Sequence, residues 1–153
     1  PTLWFNGQAE EAMRFYVSVF PDAEAGPITR FGSAREGHEG QVMTASFTLD
    51  GVSYLALNGG PQYKFSEAIS FQIDCPTQAD VDYYWDRLTA DGGEPGPCGW
   101  LKDRFGVSWQ VVPSELPALL GGSDSDKSSR AMQAMMSMSK LDIAALKAAY
   151  EGV

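Results

Sequence analysis

The chain carries a single histidine, His38, and only two cysteines, Cys75 and Cys98, so it is poor in the side chains that transition metals prefer. Two thiols without C-x-x-C spacing make neither a disulfide framework nor a redox pair; reduced thiols and a cytoplasmic setting are expected. Cationic residues are scarce too: 11 Lys and Arg stand against 20 Asp and Glu, a net charge of −9. Nothing offers the basic stripe that displaces counterions from phosphates, which excludes nucleic acid as a partner and argues against an anionic membrane surface. Apolar runs are far shorter than a bilayer span, and the opening residues lack the basic and apolar regions of a secretory leader.

What is present is one pattern written twice. Residues 2–58 read as strand, helix, strand, strand, strand, and residues 68–113 read the same way. In the first copy, residues 2–6 form a strand and Asn6 is the expected N-cap of a helix. Ala9, Ala12, Met13, Tyr16 and Phe20 recur there at helical spacing, behind Glu10 and Glu11 in the favourable first turn. Strands follow at 28–31, 41–49 and 52–57, with Asp50-Gly51 as a hairpin turn. In the second copy, a strand at 68–74 leads to a Thr77-capped helix at 78–90, whose apolar stripe is Val81, Tyr84, Trp85 and Leu88. Short strands then occupy 94–102 and 107–112.

The expected fold is therefore α+β: two tandem βαβββ modules, residues 1–61 and 66–113, whose mixed sheets form a concave surface. A helical appendage occupies 114–153. In the appendage, 114–120 reads as a short helix, 121–129 as a flexible acidic and serine-rich linker, and 130–139 and 141–150 as helices. Its methionines, Met132, Met135, Met136 and Met138, are expected to pack against the helices that cover the sheets.

A sheet covered by one helix leaves its other face open, and side chains alternate across a strand. With Ile69, Phe71 and Ile73 turned to the helix, Ser70, Gln72 and Asp74 face the open side; with Val107, Trp109 and Val111 buried, so do Ser108 and Gln110. Tyr54 and Asn58 share one face of their strand. Together with Trp4 and Trp100, these residues suggest a pocket for a planar or apolar small molecule. The candidate ligand-binding residues are Trp4, Tyr54, Asn58, Ser70, Gln72, Trp100 and Gln110.

Catalytic constellations are missing. His38 lies in a Gly-rich loop beside Glu36 and Glu39, with no second histidine and no G-x-S-x-G. Cys98 reads as a small buried hydrophobe, and Asp103-Arg104 as a solvated turn pair. Ser, Gln and Asn are poor metal ligands, so neither a metal nor another cofactor is expected.

The runs CGWLKDRFGVSWQVVP (98–113), LWFNGQAEEAMRFY (3–16) and LNGGP (57–61) carry a family resemblance. In these the chain resembles the PhnB-like branch of the glyoxalase, bleomycin-resistance and dioxygenase (vicinal oxygen chelate) superfamily, whose members are often labelled as a demethylubiquinone 3-methyltransferase domain. The resemblance implies paired βαβββ modules, a homodimer and pockets between modules. It puts the metal ligands of catalytic relatives near Pro1 or Thr2, at Ala68 or Ser70, and at Gln110, where this chain has no histidine, cysteine or carboxylate. The implied function is a small-molecule binding protein with a metal-free pocket. The alternative is a metal-dependent lyase, isomerase or transferase that uses Gln110.

Overall fold

A computed structural model describes all 153 residues as two compact units, Pro1–Phe65 and Ser66–Val153. The first unit runs β1 (Thr2–Phe5), α1 (Ala9–Val19), β2 (Ala23–Arg30), β3 (Val42–Leu49) and β4 (Val52–Asn58). Its sheet has the order β1-β4-β3-β2; β1 is parallel to β4 and the other pairs are antiparallel. α1 buries Ala9, Ala12, Met13, Tyr16 and Val19 against the sheet face that carries Leu3, Phe5, Ala45, Phe47 and Ala56. Both Asp50 and Gly51 have positive φ, 49° and 78°, as the tight β3–β4 hairpin requires.

Two expectations need correction here. Asn6 is not the cap of α1: the cap position is Gln8, which makes no side-chain cap bond. Instead Asn58, at the end of β4, accepts the Ala9 N–H at 2.9 Å on Oδ1 and donates from Nδ2 to the Val42 carbonyl at 3.0 Å. β2 also begins at Ala23, ahead of the expected residue 28, because Gly26-Pro27 interrupts the strand as a bulge without ending it. A side chain at position 26 would meet the Ser46 carbonyl at 3.0 Å, so glycine permits this close crossing.

The second unit repeats the plan with β5 (Phe71–Cys75), α2 (Gln78–Thr89), β6 (Glu94–Pro95), β7 (Trp100–Lys102) and β8 (Ser108–Pro113), in the sheet order β5-β8-β7-β6. Thr77 and Asp80 form a reciprocal capping box at the start of α2, worth about 1 kcal/mol. α2 then buries Val81, Trp85 and Leu88, and Ile73, Cys75, Trp109 and Val111 are the buried residues on the facing side of the sheet. β5 starts three residues later than expected, since Ala68 lies in a turn and Ile69 is exposed. The α+β class, with one four-stranded mixed sheet and one covering helix in each module, is as the sequence implies.

Three helices complete the second unit: α3 (Leu116–Leu120), α4 (Ser125–Met136) and α5 (Ile143–Glu151). Half of the expected flexible linker is helical. Asp124 accepts the N–H groups of Asp126 and Lys127 and so starts α4 at Ser125. Met135 and Met138 pack on a cluster that joins the appendage residues Leu116, Leu141 and Leu146 to Val112 of β8; Met132 and Met136 remain exposed. Arg130 ties α4 to the end of α5, donating to the carbonyls of Ala149 and Tyr150 at 3.0 and 2.7 Å. No helix is long and apolar enough to cross a membrane.

Candidate functional site

The open face of the second sheet gathers most of the candidate residues. Residues opposite one another in neighbouring strands point to the same side. Gln72, Gln110 and Trp100 therefore form one row across β5, β8 and β7, and Ser108, Lys102 and Glu94 form the next across β8, β7 and β6. Ser70, just before β5, accepts a hydrogen bond from Gln110 Nε2 at 2.9 Å. Four expected residues thus meet on one surface.

Beside them opens a cleft of about 460 Å³, lined by Glu67, Glu94, Cys98, Trp100, Lys102 and Ser108 among others. Trp100 forms a half-buried aromatic wall. Lys102 is paired with Glu67, an exposed residue of the irregular segment ahead of β5. That hydrogen bond and charge hold the Glu67 carboxyl below the usual carboxylate range and raise Lys102 above the usual amine range, with Glu94 raising Lys102 further. Ser108 is only 2% exposed, yet its Oγ has no hydrogen-bond partner in the protein. A buried hydroxyl without a partner costs about 1–3 kcal/mol, so the cleft wall holds one unmet polar group.

The far wall, residues 96–99, is braced from the appendage. Cys98 and Gly99 donate their N–H groups to the carbonyls of Met138 and Ser139 at 2.9 and 2.8 Å, and Ser139 Oγ donates to the Gly96 carbonyl at 2.6 Å. Gly99 has φ +83°, and a Cβ there would meet the Val111 carbonyl at 2.9 Å. Only glycine fits that crossing.

The first module's candidates are arranged differently. Trp4 lies on the open face of its sheet but is pinned: its indole N–H donates to the Gly60 carbonyl at 2.9 Å, and its ring stands edge-on to Tyr63. The ring lies so close over Gly59 that a Cβ there would come within 2.3 Å. Tyr54 and Asn58 do share a face, but it is the face α1 covers. Tyr54 stacks on Phe47, which stacks on Tyr16, and burial with the charge of Asp50 pushes the Tyr54 hydroxyl up from its ordinary value. Asn58 is fully engaged with α1 and β3. The register decides this: Tyr54 pairs with Phe47 and Asn58 with Phe5, both core residues.

Asp103 corrects a further expectation. It is no solvated turn residue but a buried carboxylate, 2% exposed. Oδ1 accepts from the N–H groups of Phe105 and Val107 at 2.9 and 3.0 Å, and Oδ2 from the Trp109 indole at 2.9 Å. The four-residue turn D-R-F-G was its available signal, since aspartate often folds back on its own turn. Lys102 was legible by alternation two positions after Trp100, whereas nothing local in the sequence marks Glu67 as its partner.

Donor chemistry argues against a cation here. No group of three or more His, Cys, Asp or Glu side chains is placed to hold a metal ion. Ser70 and Gln110, two of the positions where ligands are implied, are bonded to each other. His38 stays in its loop, its Nδ1 3.1 Å from Gln41 Oε1.

The family model of 3-demethylubiquinone-9 3-methyltransferase matches residues 1–112. The chain belongs to this family. The PhnB protein of Bacillus cereus is 33% identical, over 73% of this chain and 95% of its own, with a TM-score of 0.64. Protein PA1353 of Pseudomonas aeruginosa is 22% identical and shares the fold, over 74% of this chain and 94% of its own, with a TM-score of 0.61. No curated protein matches the chain. Both matches fall on the PhnB-like branch that the sequence motifs resemble. The match ends at residue 112, so helices α3–α5 lie outside the shared part.

Proposed function

We propose that this PhnB-like protein binds a small organic molecule, without a metal, in the cleft on the open face of its second sheet. We take the working form to be a homodimer, as the resemblance implies. One observation carries the reading: the cleft combines an aromatic wall, Trp100, with a buried Ser108 hydroxyl that has no partner within the chain. A ligand oxygen or nitrogen would satisfy that hydroxyl, while the ring supplies apolar contact.

The family description names a methyltransferase, and its usual nucleoside-type methyl donor does not fit what is here. Such donors are usually held by an open, doubly wound parallel sheet with a Gly-rich turn, and both sheets of this chain are four-stranded and mixed. No transfer step is assigned.

Thermal unfolding across a metabolite library tests the proposal. A true ligand at a hundredfold excess over its dissociation constant stabilises by about 2.7 kcal/mol. The stabilisation should persist in EDTA and disappear in Trp100→Ala. Stabilisation that vanishes with EDTA and returns with a divalent cation would favour the metal-dependent alternative, and a library without a stabilising compound would refute ligand binding.

A further inference from the structure

We infer that the cleft of the second module selects molecules bearing a carboxylate or a similar small acid group, and that Glu67 is the internal stand-in such a ligand displaces. The inference rests on the proposed binding reading and names the chemical class of its ligand. Lys102 projects from β7, fixed between β6 and β8, so the base of its side chain is anchored in the cleft wall. Its partner Glu67 is different. That residue belongs to residues 66–70, outside helix and strand, and its side chain is 61% exposed against 38% for Lys102. A strand-borne cation is tethered at its base while a loop-borne anion can leave.

The next residue across the sheet completes the grip. Ser108 is the cross-strand neighbour of Lys102, so its partnerless hydroxyl and the lysine stem rise from the same side of the sheet and line the same cleft. An acid group placed there would accept one hydrogen bond from the serine and a charge-assisted one from the lysine. Glu94, opposite Lys102 on the other side, leaves two carboxylates around one cation, so an incoming acid must replace Glu67 and not join it. A cationic ligand would instead have to displace the Lys102 ammonium from beside Glu67 and Glu94. The overall charge of −9 repels acids only at long range, where salt screens it over about 8 Å, while the lysine contact is direct.

Phenylacetate, phenylacetamide and phenethylamine, nearly equal in shape and different in charge, separate the possibilities by titration calorimetry. Phenylacetate should bind about tenfold or more tightly than phenylacetamide. Lys102→Met, which keeps most of the stem and removes the charge, should erase that preference. Glu67→Gln should tighten phenylacetate several-fold by removing its competitor. Ser108→Ala should weaken the acid and the amide alike without lowering the unfolding temperature of the ligand-free protein. Tightest binding by phenethylamine, or a preference that survives Lys102→Met, overturns the inference. Equal binding of all three probes, abolished by Trp100→Ala, sinks acid selection and leaves the binding reading standing. Failure of all three to bind sinks both.

Discussion

Asn58 lies on a strand end, yet its side chain serves two other elements, closing the start of α1 through the Ala9 N–H and the start of β3 through the Val42 carbonyl. Both bonds are sheltered, so removing the amide leaves a donor and an acceptor without partners. Asn58→Ala should cost about 1–3 kcal/mol in urea unfolding. Asn6→Ala, at the exposed position that local rules favour as the cap, should stay within about 0.5 kcal/mol. Local spacing pointed to Asn6 because capping rules read only a few residues ahead, whereas Asn58 reaches α1 from 49 residues away. Asp103 failed in the opposite way: its partners are close in the sequence, but its burial depends on Trp109 folding back over the turn. Residue roles set by sheet register are the least legible.

At the scale of elements, alternation and helical spacing carried further. The buried face of α2 follows the sequence pattern, since period-3.6 burial needs no knowledge of distant partners. On β8, alternation gives the side each residue takes but not its burial: only Gln110 escapes it. Parity failed on β4, where the apolar residues Leu55 and Leu57 lie on the open face with Trp4 and Tyr54 lies on the covered one. Helix α4 starts inside a stretch rich in serine and aspartate, whose composition suggests a linker until Asp124 is seen as a cap. The appendage bears on the cleft through a specific joint. Gln78, at the head of α2, donates to the Leu141 carbonyl at 3.0 Å and accepts the Ile143 N–H at 2.8 Å, holding the entry to α5. The neighbouring Met138 and Ser139 brace residues 96–99. Gln78→Ala should therefore cost about 1–2 kcal/mol and speed amide exchange at Cys98 and Gly99, read by hydrogen–deuterium exchange. Unchanged exchange at those two amides would show that the wall stands without the appendage.

For the molecule as a whole, the resolved proton equilibria of the neutral and basic groups point one way. Burial, with the charges of Asp80 and Asp74, pushes the Cys75 thiol from 9.0 up to about 12. Burial and Asp50 raise Tyr54, and ion pairs with Glu67, Glu151 and Asp82 raise Lys102, Lys127 and Lys140. Each of these groups holds its proton more firmly folded than unfolded. Their contributions are complete below the unfolded values and fade as pH rises toward the folded ones. The protein should thus lose stability on the alkaline side, with Cys75 alone contributing up to about 1.4 kcal/mol per pH unit between pH 9 and 12. Urea midpoints measured from pH 8 to 11 should fall, and Cys75→Ala should flatten the decline from pH 9 upward. A flat profile in the unsubstituted protein would contradict this account.

The crimp at Gly26-Pro27 bears on how these molecules tolerate crowding. β2 is the outer strand of its sheet and, at eight residues, long enough to recruit a stranger's backbone. Pro27 has no N–H to offer, and the bulge throws the ladder out of step on either side of it. A second chain trying to zip along this border would stall midway. Dense solutions of the protein should therefore resist fibril growth from that side, and straightening the crimp would remove the guard.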